Sequence, residues 1–265
     1  MRAIYLKFRI TILTFIQTSF GRLGLQIRRL RKDVSVENSE TELLRLAGND
    51  VRTIVEFGAA DGRDAEASAV RYPQAKVLAI EPVPGSFKKL AERCSRVKNL
   101  IAVEAAIGGA SGTTTLFISS EADASSVSPP VPTGSAFDRH AESVGRIKVR
   151  QMTLDEICRA HDIQAVDILK MDAQGAEVMA MQGATALLAR NGIRIIYSEI
   201  QFIRLYEKAC LFHELWNFLQ GHGFYLHGIY NLSHNEHGQL CWGDAIFIHE
   251  TARPINATRT FPGRV

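Results

Sequence analysis

The sequence predicts an α/β fold, with a mostly parallel central sheet, helices on both faces and an antiparallel C-terminal hairpin. Three observations predict it. Continuous runs of Val, Ile and Leu alternate with helical patterns, which is typical of parallel strands buried on both faces. Acidic residues and glycines stand where these apolar runs end. Near the C-terminus, two extended runs flank a turn rich in Asn, His and Gly.

The helices and strands are assigned from this alternation. A first short helix is expected to take Ser39 as its N-cap, with Glu42 three residues later, and to end near Gly48. The predicted strands of the main sheet are 53–57, 76–81, 100–107, 166–172 and 193–200, and the helices between them are 62–71, 85–97, 154–161 and 175–190. A helix at 211–223 then precedes the hairpin of 224–250, which we expect to add antiparallel strands to the sheet edge.

An insertion separates the third and fourth strands of this sheet. "TTTLFIS", residues 113–119, predicts a short strand, and the Ser- and Pro-rich stretch at 120–140 predicts a long loop. Loops of this length inside a compact domain are usually lids over a site or disordered segments. We expect one or the other here.

The chain length of 265 residues suits one domain with additions rather than two domains. We assign residues 1–49 to a basic amphipathic helical extension, 50–250 to the main domain and 251–265 to a C-terminal tail. A hydrophobic content of 46% and a charged content of 22% are typical of soluble globular proteins. The four cysteines are widely spaced and form no C-x-x-C motif, which indicates a reduced, cytoplasmic protein.

The positive charge of the chain is concentrated at its N-terminus. Of the 31 Lys and Arg residues, eight lie in the first 32 positions, which hold no acid. The remainder has 23 basic and 28 acidic residues, a net charge of −5. Because a nucleic-acid enzyme is expected to carry a basic surface on its folded body, this distribution disfavours a nucleic-acid partner.

The N-terminal segment has two interpretations. Its uninterrupted apolar run, "ITILTFI", is much shorter than the roughly 20 residues that span a bilayer. No small-residue cleavage pattern follows it, which argues against a signal peptide. One interpretation is a helix packed on the main domain. The other is an amphipathic helix lying on an anionic inner-membrane surface through residues 1–32, with Ile10, Leu13, Ile16 and Phe20 on its apolar side.

Two strand ends carry the candidate site. "VEFGAADGRD", residues 55–64, brings a strand into a turn with Gly58 and Gly62, and "VLAIEPVPGSF", residues 77–87, ends a strand at Glu81. Ligands of doubly wound sheets bind beyond the carboxyl ends of the strands. An acid about 20 residues beyond such a glycine turn is placed to bind the ribose hydroxyls of a nucleoside.

The glycine turn favours one nucleoside over another. Its pattern is G-x-x-x-G rather than the G-x-G-x-x-G that binds a pyrophosphate. Glu56, Asp61 and Asp64 would repel a pyrophosphate, whereas a nucleoside with a cationic sulfur tolerates them. The residues therefore favour S-adenosylmethionine over a nicotinamide dinucleotide, and a nicotinamide-dependent Rossmann oxidoreductase stays as an alternative.

Six motifs occur in an order and spacing that resemble a known family: "VEFGAADGRD", "AIEPVPGSFKKL", "AAIGGASGTTTLF", "VRQMTLDEI", "VDILKMDAQGAEVMAMQGA" and "YSEI". Over residues 50–250 the chain resembles the FkbM family of S-adenosylmethionine-dependent methyltransferases. The resemblance implies the class I methyltransferase fold, which is Rossmann-like. It also implies methyl transfer to a hydroxyl, expected here on a sugar of a bacterial glycan or lipid-linked precursor or on a natural product.

The sequence departs from the family pattern at two places. The family more often has Asp where Glu56 stands, and Val-Glu-Gly where this chain has Ala173-Gln174-Gly175. The loss of a carboxylate at Gln174 keeps a third alternative open, a methyltransferase-like protein that binds ligand without catalysis.

The residues assigned to cofactor binding lie at the strand ends. Glu81 is expected to bind the ribose, or else to cap the following helix. Glu56 is expected to hold the ligand's ammonium, or else to order the loop. The backbone of the glycine turn would contact the methionine tail, and Ala105–Ile107 would pack on adenine. The full set is Glu56, Gly58, Ala59, Ala60, Asp61, Gly62, Glu81, Pro82, Ala106 and Asp172.

The catalytic candidates are Asp172, Glu199 and Lys170. Asp172 follows the fourth strand, where the reactive methyl should lie, and is expected to act as a base or to orient the loop. Glu199 is a candidate partner, and Lys170 is expected to pair with an acid. No metal ligands are assigned; Mg²⁺ between the two carboxylates is the lesser alternative. The acceptor pocket is expected from the 119–145 loop and the hairpin, and the histidines near the hairpin (His222, His227, His234 and His237) are further base candidates.

Overall fold

The computed structural model describes residues 38–133 and 137–252. The predictions for residues 1–37 and for the tail from 253 lie outside the described residues. No helix in the described part is long and apolar enough to cross a membrane.

The described chain is an alternation of strands and helices. The strands are β1 (Thr53–Phe57), β2 (Lys76–Ile80), β3 (Leu100–Val103), β4 (Ala106–Ile107), β5 (Gly112–Ser119), β6 (Ser143–Met152), β7 (Val166–Met171), β8 (Ile193–Gln201), β9 (Phe224–His234) and β10 (Leu240–His249). The helices are α1 (Ser39–Ala47), α2 (Arg63–Arg71), α3 (Pro84–Cys94), α4 (Phe137–His140), α5 (Leu154–Ala160), α6 (Glu177–Gln182), α7 (Thr185–Ala189) and α8 (Phe212–Gln220).

Seven strands form the main sheet in the order β3-β2-β1-β7-β8-β10-β9. The first five of these pair in parallel, and β10 pairs antiparallel with both β8 and β9. This arrangement confirms the predicted α/β fold with a mostly parallel sheet and an antiparallel C-terminal hairpin. The second strand of the hairpin, β10, lies inside the sheet, and the first strand, β9, forms the edge.

The two faces of the sheet are buried in separate hydrophobic clusters. Val55 and Phe57 of β1 lie in one cluster and Ile54 in the other, because successive side chains of a strand point to opposite faces. The same alternation puts Glu56 of β1 and Lys170 of β7 on the Ile54 face, where the two residues are register partners. The carboxyl ends of β1, β2, β7 and β8 therefore bring polar side chains from several strands together.

Several predicted boundaries were wrong, the first for a local reason and the others for tertiary ones. The N-cap of α1 is Asn38, whose Oδ1 accepts hydrogen bonds from the backbone N–H groups of Glu40 and Thr41. The strand expected at 100–107 divides into β3 and β4, because β4 pairs with β6 in a second sheet of order β4-β6-β5. The helix expected at 175–190 divides into α6 and α7 near Gly183, where a Cβ atom would lie 2.3 Å from the carbonyl oxygen of Gly108.

The segment after β5, expected to be a lid or disordered, packs on the chain between β8 and α8. Pro130 and Tyr206 form an isolated β-bridge, and the Val131 N–H donates to the Leu205 carbonyl at 2.9 Å. The Glu207 N–H donates to the carbonyl of Pro129 at 3.0 Å. The described part of the insertion is therefore an ordered cover over the carboxyl ends of the strands.

Candidate active site

Two adjoining cavities open at the carboxyl ends of the parallel strands. They share Phe57, Gly58, Ala60, Asp123 and Asp172. The first is also lined by Glu81, Pro82, Ala105, Ala106 and Ile107, and the second by Glu56, Asp61, Asp64, Lys170, Glu199 and Asp244. The structure thus brings together the predicted cofactor-binding residues and the three main catalytic candidates, except Gly62, which is outside the residues that line the two cavities, as are the four histidine candidates.

The turn after β1 requires glycine at position 58. Gly58 has a φ of +75°, and a Cβ atom there would lie 1.8 Å from the carbonyl oxygen of Asp172. The N–H groups of Gly58 and Ala59 both donate to the carbonyl of Ile80, at 3.0 and 3.1 Å. The turn is therefore held against the ends of both β2 and β7, which fixes the shared wall of the two cavities.

Gly62 has a structural role in the same turn. It is the N-cap of α2 with a φ of +81°, and a Cβ atom there would lie 2.5 Å from Cδ1 of Leu90 on α3. Its N–H donates to the carbonyl of Ala59 at 2.8 Å. Its absence of a side chain lets α2 start close against α3.

Glu81 joins the two sides of the first cavity. Its Oε2 accepts a hydrogen bond from the Ala60 N–H at 2.8 Å, and its Oε1 accepts one from the Val83 N–H at 2.7 Å. Since a carboxylate has about four lone-pair sites, each oxygen keeps one for a ligand. Val83 is the N-cap of α3, so the helix-capping and ligand-binding interpretations are compatible. Burial raises the pKa of Glu81 to about 7, although the two hydrogen bonds act to lower it.

A second cluster lies at the opposite end of the site. Lys170 Nζ lies 3.2 Å from Glu56 Oε2 and 3.5 Å from Asp64 Oδ2. Burial alone would lower the pKa of Lys170, but the charges of Glu56 and Asp64 raise it overall, so this amine stays cationic and is no base. Glu56 is 6% exposed, and its Oε2 makes the ion contact without a hydrogen bond.

Asp172 and Glu199 are joined by an amide. Gln174 Nε2 donates to Asp172 Oδ1 at 2.7 Å and to Glu199 Oε2 at 3.1 Å. The amide oxygen, Oε1, accepts a hydrogen bond from the hydroxyl of Tyr206 at 2.7 Å. Four side chains therefore form one connected unit: Asp172 and Gln174 from the loop after β7, Glu199 from β8 and Tyr206 from the segment after β8.

The two carboxyl groups titrate together. Burial raises the pKa of Asp172 to about 7, and the hydrogen bond from Gln174 opposes that rise. Burial and the charge of Asp172 raise the pKa of Glu199 well above its usual range. Because two buried carboxylates this close repel each other, the pair retains a proton more readily than isolated carboxyl groups do. It can therefore accept and release protons near neutral pH.

A comparison with models of known protein families finds a match for this chain. Residues 56–226, more than half of the chain, match the model of the methyltransferase FkbM domain. The chain belongs to the FkbM methyltransferase family. Its sheet order and its strand-end site agree with that membership, and the protein is an S-adenosylmethionine-dependent methyltransferase.

The individual proteins that the chain resembles share little sequence identity with it. The 2-O-methyltransferase NoeI of Sinorhizobium fredii (strain NBRC 101917 / NGR234) is 26% identical over 185 residues, which cover 67% of this chain and 75% of that protein. A precorrin-6y C5,15-methyltransferase from Geobacter metallireducens GS-15 superposes with a TM-score of 0.44 at 11% identity, covering 83% of this chain and 93% of that one. A SAM-dependent methyltransferase from Aquifex aeolicus gives a TM-score of 0.40 at 13% identity, covering 79% and 89%. Both TM-scores are below 0.5.

The residues of this FkbM methyltransferase fit the cofactor. The free lone pairs of Glu81 suit two ribose hydroxyls, and the apolar wall of Ala105, Ala106 and Ile107 suits adenine. Glu56 lines the second cavity, but its buried Oε2 already lies 3.2 Å from Lys170 Nζ, so its contact with the ammonium of a methionine tail stays a prediction. The N–H groups of Gly58 and Ala60 are already bonded within the protein, so the turn serves the ligand chiefly through its shape.

Three residues of the site were missed by sequence reasoning. Asp123 lines both cavities, Asp244 lines the second, and Tyr206 anchors Gln174. Asp244 accepts hydrogen bonds from the Tyr197 hydroxyl at 2.8 Å and from Asn231 Nδ2 at 2.5 Å. Of these three residues, the sequence offered a signal only for Asp244, which follows Gly243 within an extended run of the predicted hairpin.

The predicted histidine bases lie outside the two cavities. The described residues that line the cavities include no histidine, and His227 instead bonds Glu42 at 2.7 Å. Across 38–133 and 137–252, no group of three or more His, Cys, Asp or Glu side chains is arranged to hold a metal ion. Mg²⁺ held by Asp172, Glu199 and water molecules needs only two carboxylates and stays a prediction.

Proposed function

We propose that this methyltransferase methylates a hydroxyl group, and that the acceptor is a sugar of a glycan or lipid-linked precursor. The observation that supports the proposal is the Asp172–Gln174–Glu199 unit, whose two carboxyl groups line the cavity that adjoins the one lined by Glu81. A hydroxyl is a weak acid and benefits from such a base when its oxygen forms a new bond.

The residues of the chain divide the work of the reaction. When bound, S-adenosylmethionine supplies an electrophilic methyl group on a cationic sulfur. Glu81 and the turn at Gly58 would hold the nucleoside, and Glu56 the ammonium. Asp172 and Glu199 would accept the proton that the hydroxyl loses as its oxygen bonds to the methyl carbon. Holding the reactants in this geometry supplies much of the acceleration.

The lining of the second cavity supports a polyhydroxylated acceptor. Asp123, Glu199 and Asp244 offer carboxylate oxygens, and Tyr197 offers a hydroxyl. Sugar hydroxyls donate to carboxylates readily, whereas an anionic group at this position would be repelled. The relation to a protein named 2-O-methyltransferase supports oxygen as the accepting atom.

The test is methyl transfer from isotopically labelled S-adenosylmethionine to a panel of neutral oligosaccharides and lipid-linked glycans. We expect an O-methyl ether, located by mass spectrometry of the fragmented product. Labelling of an amine instead of a hydroxyl would contradict the O-methylation proposal. Calorimetry with S-adenosylhomocysteine and with NADH separates the alternatives, since only the first should bind.

We further propose contact with an anionic membrane through residues 1–32, on the basis of their eight basic residues and apolar positions. In a flotation experiment, the protein with residues 1–32 should float with vesicles that contain phosphatidylglycerol. A variant that lacks residues 1–32 should stay in the bottom fraction. Equal flotation of the two proteins would contradict this proposal.

A further inference from the structure

Tyr206 is buried next to the carboxylate pair but lies outside both cavities. Its side chain is 0% exposed, and it is not among the described residues that line either cavity. Its hydroxyl lies 2.7 Å from Gln174 Oε1 and 2.9 Å from the carbonyl oxygen of Ala124. Its ring packs edge-on against Phe137, with centroids 5.9 Å apart. Tyr206 is therefore fixed by packing, and its polar end points at the amide that joins the carboxylates.

The orientation of the Gln174 amide decides what the carboxylates experience. With its nitrogen toward them, the amide donates one N–H to each. Turned by half a rotation, it would present its oxygen to two groups that are also acceptors, which is repulsive when they are ionised. The Tyr206 hydroxyl has one proton and two acceptors within reach, and we assign the proton to Gln174 Oε1 at 2.7 Å, which is nearer than the Ala124 carbonyl oxygen at 2.9 Å. This hydrogen bond favours the first orientation.

We propose that Tyr206 is a positioning residue for methyl transfer, because its hydroxyl fixes the Gln174 amide so that Asp172 and Glu199 act as one proton acceptor. The inference rests on the proposed function of the carboxylate pair. Tyr206 acts through Gln174 and touches no reacting atom. Gln174, which departs from the family's Val-Glu-Gly pattern, supplies two donors where a glutamate would add a third carboxylate.

The surroundings make these two hydrogen bonds important. The groups that face the pair from neighbouring elements are acidic: Asp123 after β5, Glu177 on α6 and Asp244 on β10. Two cations line the second cavity, and both are already paired: Lys170 with Glu56 and Asp64, and Arg63 with Asp61. The Gln174 amide is consequently a main source of stabilisation for an ionised Asp172. If the amide turned, the pair would hold its proton to a higher pH.

The charge of the pair can be measured without knowing the acceptor. Sinefungin resembles S-adenosylmethionine but carries an ammonium on carbon in place of the methylsulfonium, whereas S-adenosylhomocysteine is uncharged there. The ratio of the two affinities therefore reports how far the neighbouring carboxylates are ionised. In the wild-type protein we expect this ratio to rise with pH through the neutral range as the pair loses its proton.

Tyr206→Phe should move the midpoint of this rise upward by about one pH unit, because the pair loses well-oriented N–H donors. Gln174→Met, which removes the amide, should give a similar shift. In the double variant the second change should add little, because both act through one hydrogen-bonded unit. Tyr72→Phe is the matched control: it removes a buried tyrosine hydroxyl bonded to the Gly48 carbonyl, remote from the site, and should leave the midpoint unchanged.

Each outcome decides between roles. An unchanged midpoint in Tyr206→Phe, or equal weakening of both ligands at every pH, would show a packing residue only and overturn the proposal. If Tyr206→Phe does not fold, the Gln174→Met variant decides, and an unchanged midpoint there overturns it as well. Failure of the wild-type protein to bind either ligand would instead refute the proposed function.

Discussion

At the scale of single residues, two buried carboxylates of the site are held in different ways. Glu81 is bound by two backbone N–H groups, from Ala60 and Val83, which cannot move without the turn or α3. Asp172 is bound by the side-chain amide of Gln174, whose orientation depends in turn on the hydroxyl of Tyr206. The ligand-binding carboxylate is therefore held by backbone, whereas the proton-accepting one depends on a network of side chains.

Replacement of Glu81 should affect the cofactor. In Glu81→Gln we expect binding of S-adenosylhomocysteine to weaken by about 1–3 kcal/mol, because charge-assisted hydrogen bonds to the ribose are lost. Isothermal titration calorimetry measures the change. Glu104→Gln, at an exposed acid outside the two cavities, is the control and should bind normally. Unchanged affinity in a folded Glu81→Gln protein would refute the ribose assignment.

Replacement of Asp172 should affect the reaction more than binding. In Asp172→Asn the Oδ1 atom can still accept the hydrogen bond from Gln174, so the loop should keep its shape, but half of the proton-accepting pair is gone. We expect turnover to fall by about 10²-fold or more with nearly unchanged affinity for S-adenosylhomocysteine. The opposite result, lost affinity with normal turnover at saturation, would make Asp172 a cofactor ligand.

The role of Gln174 was beyond reach of the sequence. Its partners Glu199 and Tyr206 are 25 and 32 positions away in the chain. Glu81, by contrast, could be predicted, because its placement after β2 depends on local pattern and on the general rule for strand ends. Side-chain networks that cross between loops depend on tertiary packing, which periodicity does not encode.

At the scale of elements, the turn between β1 and α2 is the part most sensitive to an added atom. Gly58→Ala should destabilise the fold by about 2 kcal/mol or more, because of the positive φ and the clash with the Asp172 carbonyl. Gly85→Ala is the control: it lies in α3 with nothing within 4 Å of a Cβ atom and should be neutral or slightly stabilising. Urea unfolding of both variants measures this, and equal stabilities would contradict the prediction.

Most elements that depend on local sequence pattern were predicted, and elements that depend on tertiary contacts were not. β1 agrees with its predicted range, and β2, β7 and β8 agree within one residue, because each is a continuous apolar run buried on two faces. β6 was not predicted, although its exposed Arg146, Lys148 and Arg150 alternate with Ile147 and Val149, which is typical of a strand with one face in solvent. The break between α6 and α7 depends instead on a close approach to Gly108.

At the scale of the whole molecule, the buried carboxyl groups set how stability depends on pH. Burial raises the pKa of Glu81 from 4.5 to about 7 and that of Asp172 from 3.8 to about 7. Unfolding restores the ordinary values, so between about pH 4 and 7 the unfolded chain binds fewer protons and stability falls as pH rises. Glu42 acts in the other direction: its hydrogen bond to Arg45 lowers its pKa to about 2, so its contribution is lost below 4.5.

The ligand-free protein should therefore be most stable near pH 4, which thermal unfolding at a series of pH values would show. Asp172→Asn removes one buried charge, so we expect it to stabilise the protein at pH 8 by roughly 2 kcal/mol and to have little effect at pH 4. Asp50→Asn is the control, because Asp50 is exposed and its replacement should not change the stability. Asp167→Asn would not serve, because that carboxylate accepts hydrogen bonds from two N–H groups near β1. A wild-type protein as stable at pH 8 as at pH 4, or an Asp172→Asn effect independent of pH, would mean that these groups remain ionised in the fold. In that case the carboxylate pair would carry no proton at neutral pH and would accept one only weakly.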